Sequence, residues 1–213
     1  MKNIAGIRKE YKMQFLVEAD VDLNPFTQFD KWWQEAIESE IDEVNAMTLA
    51  TVNEEGKPSA RIVLLKGYDK NGFLFFTNYQ SNKGHNIDLN PNVCLVLFWK
   101  ELERQIRIEG IAQKITEEES DSYFYSRPLE SQIGAWASPQ SQKISTRAII
   151  EENCKNFEKK FSQEKISRPP HWGGYRVIPT SFEFWQGRPG RLHDRLHYTI
   201  AENNEWQISR LAP

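Results

Sequence analysis

The chain has 213 residues, 39% of them hydrophobic and 27% charged, with a formal net charge of -3. Those values describe a soluble globular protein with room for a substantial core, and they exclude intrinsic disorder and a broad polyanion-binding surface. No stretch reaches the roughly 20 apolar residues of a membrane span, and the opening MKNIAGIRKEYKMQF lacks the apolar core of a secretory signal, so a cytoplasmic location is expected.

After a charged N-terminal arm over residues 1–20, expected to be mobile, NPFTQFDKWWQEAIESEI predicts an amphipathic helix. Asn24 precedes Pro25 at a first helical position, and Phe26, Phe29, Trp33 and Ile37 share a face. The period then shortens to strands: AMTLATV, SARIVLLKGY, GFLFFTN, VCLVLFWK and ERQIRIEGIAQKI. With NEEGKP and DKNG as tight turns, this stretch reads as an antiparallel meander. Helical signals return at TEEESDSYFYS, where Thr116 and Glu119 form a capping-box pattern, and over residues 146–161. Strands resume at GGYRVIP, SFEFWQG, RLHDRLHYTI and EWQISRL, and the abrupt apolar end is expected to be tied into the sheet or an interface. The order predicts a mainly β, α+β fold: one domain spanning residues 1–213, a barrel with peripheral helices. Cys94 and Cys154 lie in apolar patterns and are expected to pack rather than form a disulfide, and the four histidines are too scattered for a metal site.

Several stretches carry phosphate-binding chemistry. In RIVLLKGY, alternation sends Arg61, Val63 and Leu65 one way and Ile62, Leu64 and Lys66 the other, so the two cations would serve different groups. A cation in an apolar strand calls for an anionic partner, although an edge strand with solvent-facing charge gives the same pattern. In TNYQSNKGHNI, Ser81 could cap a short helix whose N–H groups, with Lys83, seat a phosphate; a solvated loop is the plainer reading. Tyr123 and Arg127 are four apart on a helix and Ser131 would continue the row, a phosphate clamp interrupted by Pro128. Gln105, Gln140 and Ser141 offer neutral hydrogen bonds. In WQGRPGRLHDR, an extended backbone puts Arg191, His193 and Arg195 on one side, where an anion would relieve their repulsion and Trp185 could cover a flat ring. The competing account is an ion-pair network through Asp194, Glu183 and Glu202. Several phosphate-suited sites in an acidic chain suggest two phosphorylated ligands, a cofactor and a substrate.

IRKEY, RIVLLK, FFTN with SNK, LERQIRIEG, YFYSRPLESQIGAWAS, FWQG with RLHDR, and the closing RLAP together resemble the pyridoxine/pyridoxamine 5'-phosphate oxidase family, from about residue 7 to the end. The resemblance implies an FMN-binding split β-barrel working as a homodimer, with FMN at the subunit interface. It implies FMN contacts from Arg61, Ile62, Val63, Leu64, Leu65, Lys66, Phe76, Thr77, Asn82, Lys83, Gln105, Gln140, Ser141, Trp185 and Arg195. Substrate would meet Lys66, Tyr123, Arg127 and Ser131 at its phosphate, and Arg191, Leu192 and His193 at its ring, with Arg191 and His193 catalytic. Arg8, Lys9, Glu10 and Tyr11 of the arm would close over it. The implied reaction takes pyridoxine 5'-phosphate or pyridoxamine 5'-phosphate to pyridoxal 5'-phosphate with oxygen as acceptor. Arg188 is then left over, in a loop expected to be exposed. The family pattern has arginine where this chain has Asn82, which implies weaker FMN retention, and Phe76 stands where a tyrosine is common. Other readings are a split-barrel flavoprotein with a different substrate or a nicotinamide donor, and a non-enzymatic flavin or pyridoxal phosphate carrier. The acidic balance argues against a nucleic-acid binder.

Overall fold

The structure, a computed structural model, describes Gly6 and residues 10–213. Helix α1 (Pro25–Glu38) starts where the sequence places it: Asn24 Oδ1 accepts the Phe26 N–H at 2.9 Å, and Pro25 occupies a first-turn position that needs no donor. Its buried face runs through Phe29, Trp32 and Ala36, while Ile37 is 46% exposed. The face is thus rotated from the expected Phe26–Phe29–Trp33–Ile37 stripe. Trp32 meets Phe184 edge-on at 5.2 Å and Phe29 meets Phe73 at 4.8 Å, so the sheet beneath takes the larger rings and leaves Ile37 in water.

The strands are β1 (Ala46–Val52), β2 (Pro58–Leu64), β3 (Gly67–Asp69), β4 (Gly72–Asn78), β5 (Asn92–Trp99), β6 (Arg104–Lys114), β7 (Trp172–Gln186), β8 (Asp194–Ile200) and β9 (Trp206–Arg210). Around them lie α2 (Asn82–Leu89), α3 (Glu117–Ser126), α4 (Leu129–Ala137) and α5 (Ala148–Phe161), so the fold is mainly β with peripheral helices, as expected. The expected hairpins β1–β2, β3–β4 and β5–β6 are present. They do not form a simple meander: the order is β2-β1-β5-β6-β7-β4-β3, because α2 carries the chain back across and β5 returns beside β1. The stretch SARIVLLKGY is also two strands. It breaks at Leu65, whose N–H donates to Asn45 O, and Lys66, whose N–H donates to Leu74 O; the bend moves the chain from the β1 side to the β4 side.

GGYRVIP and SFEFWQG, read as two strands, are one 15-residue strand, β7. Its one edge pairs with β6 from Tyr175 to Gln186, while the other edge is shared: β4 takes Trp172–Val177 and β8 takes Ser181–Gln186. The handover falls at Pro179, which has no N–H to give, and at a bulge opposite Glu109 and Gly110. Glycine is required there, since a Cβ on Gly110 would sit 2.3 Å from Ile178 O. The sheet divides at this point into two lobes sharing β6 and β7. Leu49, Leu95, Leu97, Ile106, Ile108, Phe182 and Phe184 fill the inner face, each fully buried. On the opposite face one cross-strand row carries Phe98, Gln105, Trp185 and Arg195. The C-terminus is tied in as expected: β9 pairs with β8, the Leu211 N–H donates to Arg195 O, and Arg195 Nη1 donates to Ala212 O.

Candidate active site

A cleft of about 610 Å3 opens between β2, β4, α3, α4 and the Ser138–Gln140 loop. Of the residues singled out from sequence it is lined by Ile62, Val63, Leu64, Lys66, Phe76, Thr77, Lys83, Tyr123, Arg127, Ser131 and Gln140. Helix α2, where a solvated loop was the plainer reading, brings Lys83 to it: Ser81 caps the helix, accepting the Gly84 N–H, and leaves Lys83 one position inside the first turn. Lys83 Nζ donates to Thr77 Oγ1 at 3.0 Å, Ser81 Oγ at 3.1 Å and Gln140 Oε1 at 3.3 Å, all neutral oxygens. Burial, with the nearby Arg61 guanidinium, pulls its pKa down to about 8. Arg61 lies just behind, donating to Leu49 O, Thr51 Oγ1 and Ser59 Oγ, again with no carboxylate among the described residues.

The expected helical row of Tyr123, Arg127 and Ser131 is altered. Helix α3 opens on the predicted capping box, Thr116 with Glu119, a motif worth about 1 kcal/mol. It closes at Ser126, because Pro128 forces its predecessor out of the helix: Arg127 has φ -78° and ψ 151°. Tyr123 and Arg127 are therefore not on one helical face, yet both line the cleft with Ser131 of the following helix. Arg127 Nη1 is buried and has no hydrogen-bond partner among the described residues. Phe76 stacks on Tyr123 at 3.9 Å between ring centroids. Gly174, facing Phe76 on the paired strand, makes this possible, since a Cβ there would lie 2.8 Å from the Phe76 ring.

Trp185, Arg191, His193 and Arg195 lie elsewhere, and none of them lines this cleft. Trp185 and His193 have ring centroids 4.6 Å apart, and Tyr11 of the arm packs against both, at 5.8 and 5.9 Å. His193 Nδ1 accepts the Arg188 N–H at 3.1 Å, which leaves the proton of the neutral ring on Nε2. Burial and the neighbouring Arg191 lower its pKa. The extended Arg191–His193–Arg195 row is not formed. Residues 189–191 make a 3-10 turn, Arg191 has φ 64°, and β8 begins only at Asp194.

Arg195 is paired rather than free, forking onto Glu183 at 2.8 and 3.1 Å, and Arg107 shares that carboxylate. Arg188, expected to be exposed, bonds Asp194 and covers the Phe15 ring at 3.5 Å. The ion-pair account was therefore right for Glu183 and Asp194, while Glu202 contributes no ion pair among the described residues. Leu65 is buried outside the cleft, Asn82 and Ser141 are exposed beside it, and Gln105 lies in the outer row with Trp185. Glu10 pairs with Lys12, Leu192 is 72% exposed, and Arg8 and Lys9 lie outside the described residues. Sequence reasoning missed Asn78, Trp172 and Ser138, which also line the cleft. Trp172 was overlooked because it precedes the run GGYRVIP, although it opens the strand.

Fold and site together define an antiparallel split barrel with a cation-lined cleft. Residues 33–160 match the family described as pyridoxamine 5'-phosphate oxidase, and residues 172–213 match the pyridoxine 5'-phosphate oxidase C-terminal dimerisation region. A curated relative named pyridoxine/pyridoxamine 5'-phosphate oxidase, from Burkholderia thailandensis, is 57% identical over 215 residues, covering 100% of both chains. One of the same name from Nostoc punctiforme is 54% identical over 212 residues, covering 100% of this chain and 99% of its own. Among solved structures, PhzG from Burkholderia lata, in complex with tetrahydrophenazine-1-carboxylic acid, superposes with a TM-score of 0.88 at 28% identity, covering 96% of this chain and 100% of PhzG. A pyridoxamine 5'-phosphate oxidase-related, FMN-binding protein from Nostoc punctiforme shares the fold, with a TM-score of 0.71 at 18% identity over 91% of this chain and all of its own. The chain belongs to the pyridoxamine 5'-phosphate oxidase family. No helix among the described residues is long and apolar enough to cross a membrane.

Proposed function

We propose that the protein oxidises pyridoxine 5'-phosphate and pyridoxamine 5'-phosphate at the 4' carbon to pyridoxal 5'-phosphate, using FMN and oxygen. The alcohol plus oxygen gives the aldehyde and hydrogen peroxide; the amine also consumes water and releases ammonia. The reading rests above all on three cations lining one cleft, Lys66, Lys83 and Arg127, with Arg61 just behind them, none paired with a carboxylate among the described residues. Gathering such charges without a counter-ion is costly, and an anion bound among them would relieve that cost.

Two phosphates fit that set. Lys83 and Arg61, with Thr77 and Gln140, would hold the FMN phosphate, and Lys66, Tyr123, Arg127 and Ser131 the substrate phosphate. FMN, when bound, supplies the two-electron acceptor. The chain's own groups align and neutralise: Arg191 and His193 would hold the pyridine ring, with His193 Nε2 the ring atom left to exchange a proton. Their distance from the cleft in one chain supports a homodimer. Trp185, Arg191, His193 and Arg195 all fall in the matched dimerisation region, so a second copy would deliver them to the cleft of the first.

The test is oxygen consumption and pyridoxal 5'-phosphate formation by FMN-loaded protein, beside Arg191→Ala. Turnover in the parent with a loss of at least about 100-fold in the variant is expected, the size of a lost charge-assisted contact in the transition state. FMN-loaded protein inert to both vitamers would return the chain to the carrier or other-substrate readings.

Lys83 gives a pH signature. Its pKa of about 8 means that raising pH through 8 removes a charge the FMN phosphate needs. The phosphate itself, with a second pKa near ~6, stays fully charged there. FMN affinity measured from pH 7 to 9.5 should fall, with a midpoint above 8 because the bound anion raises the lysine pKa. Lys83→Arg should flatten the profile; a parent profile that is already flat excludes Lys83 from the phosphate site.

A further inference from the structure

Trp172 opens β7 at the rim of the cleft, and its indole is only 7% exposed. One set of contacts fixes its backbone. It pairs with Asn78 on β4, its N–H donates to Pro169 O, and its carbonyl accepts Arg168 Nη1 at 2.7 Å. Arg168 in turn bonds Asp121 of α3, the helix that carries Tyr123, so strand and helix are locked together. A second set fixes the ring. Phe124 meets it edge-on at 5.6 Å, and the rings of Phe76 and Tyr123 lie nearly parallel to it, at 16° and 9°.

Over this ring sits the Arg127 guanidinium, its Cζ 4.6 Å from the centroid. Arg127 has left α3 with an extended backbone, and Gln132 Nε2 pins its carbonyl at 2.8 Å. Its pKa is lowered, mainly by desolvation. A buried guanidinium is ordinarily steadied by a carboxylate, which cancels its charge and occupies two donors. An aromatic face steadies it through the ring quadrupole and takes neither.

We propose that Trp172 is a positioning residue: its indole holds the Arg127 guanidinium over the cleft with charge and donors unspent for the phosphate of the substrate. This rests on the functional reading above. Because Trp172 acts through Arg127, removing both should do no more than removing Arg127 alone.

The experiment compares FMN-loaded parent, Trp172→Leu, Trp172→Phe, Arg127→Leu and the Trp172→Leu/Arg127→Leu pair with pyridoxamine 5'-phosphate. Binding of 4-deoxypyridoxine 5'-phosphate, which has the phosphate but no oxidisable 4' group, is followed by calorimetry as a readout independent of turnover. Trp172→Leu should raise KM and the analogue Kd about 10-fold with kcat within twofold, Trp172→Phe should recover part of the loss, and the pair should match Arg127→Leu. Trp172→Phe keeps a ring in the same packing, so it carries the test if the leucine variant does not fold. Multiplying effects in the pair, or a fall in kcat with KM unchanged, overturns the assignment while leaving the function intact. A parent that oxidises neither vitamer overturns the function and this inference with it.

Discussion

Arg127→Leu is expected to weaken binding of the phosphorylated substrate by about 10- to 100-fold while leaving the melting temperature unchanged or raised. The two halves have one cause. Arg127 Nη1 is buried with no acceptor among the described residues, and the nearest steadying group is the Trp172 ring. An unmade bond of that kind costs about 1–3 kcal/mol in the unliganded fold, and leucine, which carries no polar group, removes the cost. The same group, given a phosphate, makes charge-assisted bonds worth roughly 1.5–3 kcal/mol, the basis of the affinity loss. Thermal unfolding of the FMN-loaded protein and KM for pyridoxamine 5'-phosphate check both. A variant that melts several degrees lower with an unchanged KM would make Arg127 a structural residue and remove the phosphate clamp from the site.

How far the site could be read from sequence depended on whether chemistry or path was at stake. Residue type and spacing were enough to nominate Lys66, Lys83, Tyr123, Arg127 and Ser131, and one cleft gathers them. Geometry was lost wherever the backbone left its regular period. Arg127 departs from its helix because of Pro128, and Arg191 enters the left-handed region, which dissolves the row assumed for Arg191, His193 and Arg195. Alternation in a sequence shows which side chains could share a face, but not whether the strand has yet begun. Partner choice was equally hidden: nothing local to Arg195 or Arg188 says that Glu183 and Asp194 will claim them.

The fold shows the same division. Strand periodicity, turn residues and caps gave the elements, including the Thr116–Glu119 box and the Asn24–Pro25 start. Strand order was not legible, because pairing of β1 with β5 and β4 with β7 depends on contacts across the whole chain. The single β7 was hidden by Pro179, which usually marks an end; here a bulge at Gly110 lets the strand run through and change partners.

Arg104→Ala should have the opposite signature to Arg127→Leu: a melting temperature lower by roughly 6–12 °C. The Arg104 side chain is only 4% exposed, but every direction of its fork is used. Nε donates to Gln186 on β7 at 2.9 Å, Nη1 to Glu35 on α1 and Nη2 to Gln14 of the arm, and the plane lies 4.4 Å from the Trp32 ring centroid. One residue therefore ties β6, β7, α1 and the arm. Breaking a buried pair from one side costs about 3–5 kcal/mol; Glu35 is 35% exposed and can rehydrate, which puts the loss near ~3 kcal/mol. For a chain of this size each kcal/mol moves the melting temperature about 2–4 °C, hence the expected range. Arg104→Met, which keeps the apolar stem over Trp32, should recover part of it. A shift under about 2 °C would mean that water replaces the fork without cost. The contrast between two arginines lies in their acceptors: where the fold supplies them the guanidinium holds elements together, and where it supplies none the guanidinium would be left for the ligand proposed above.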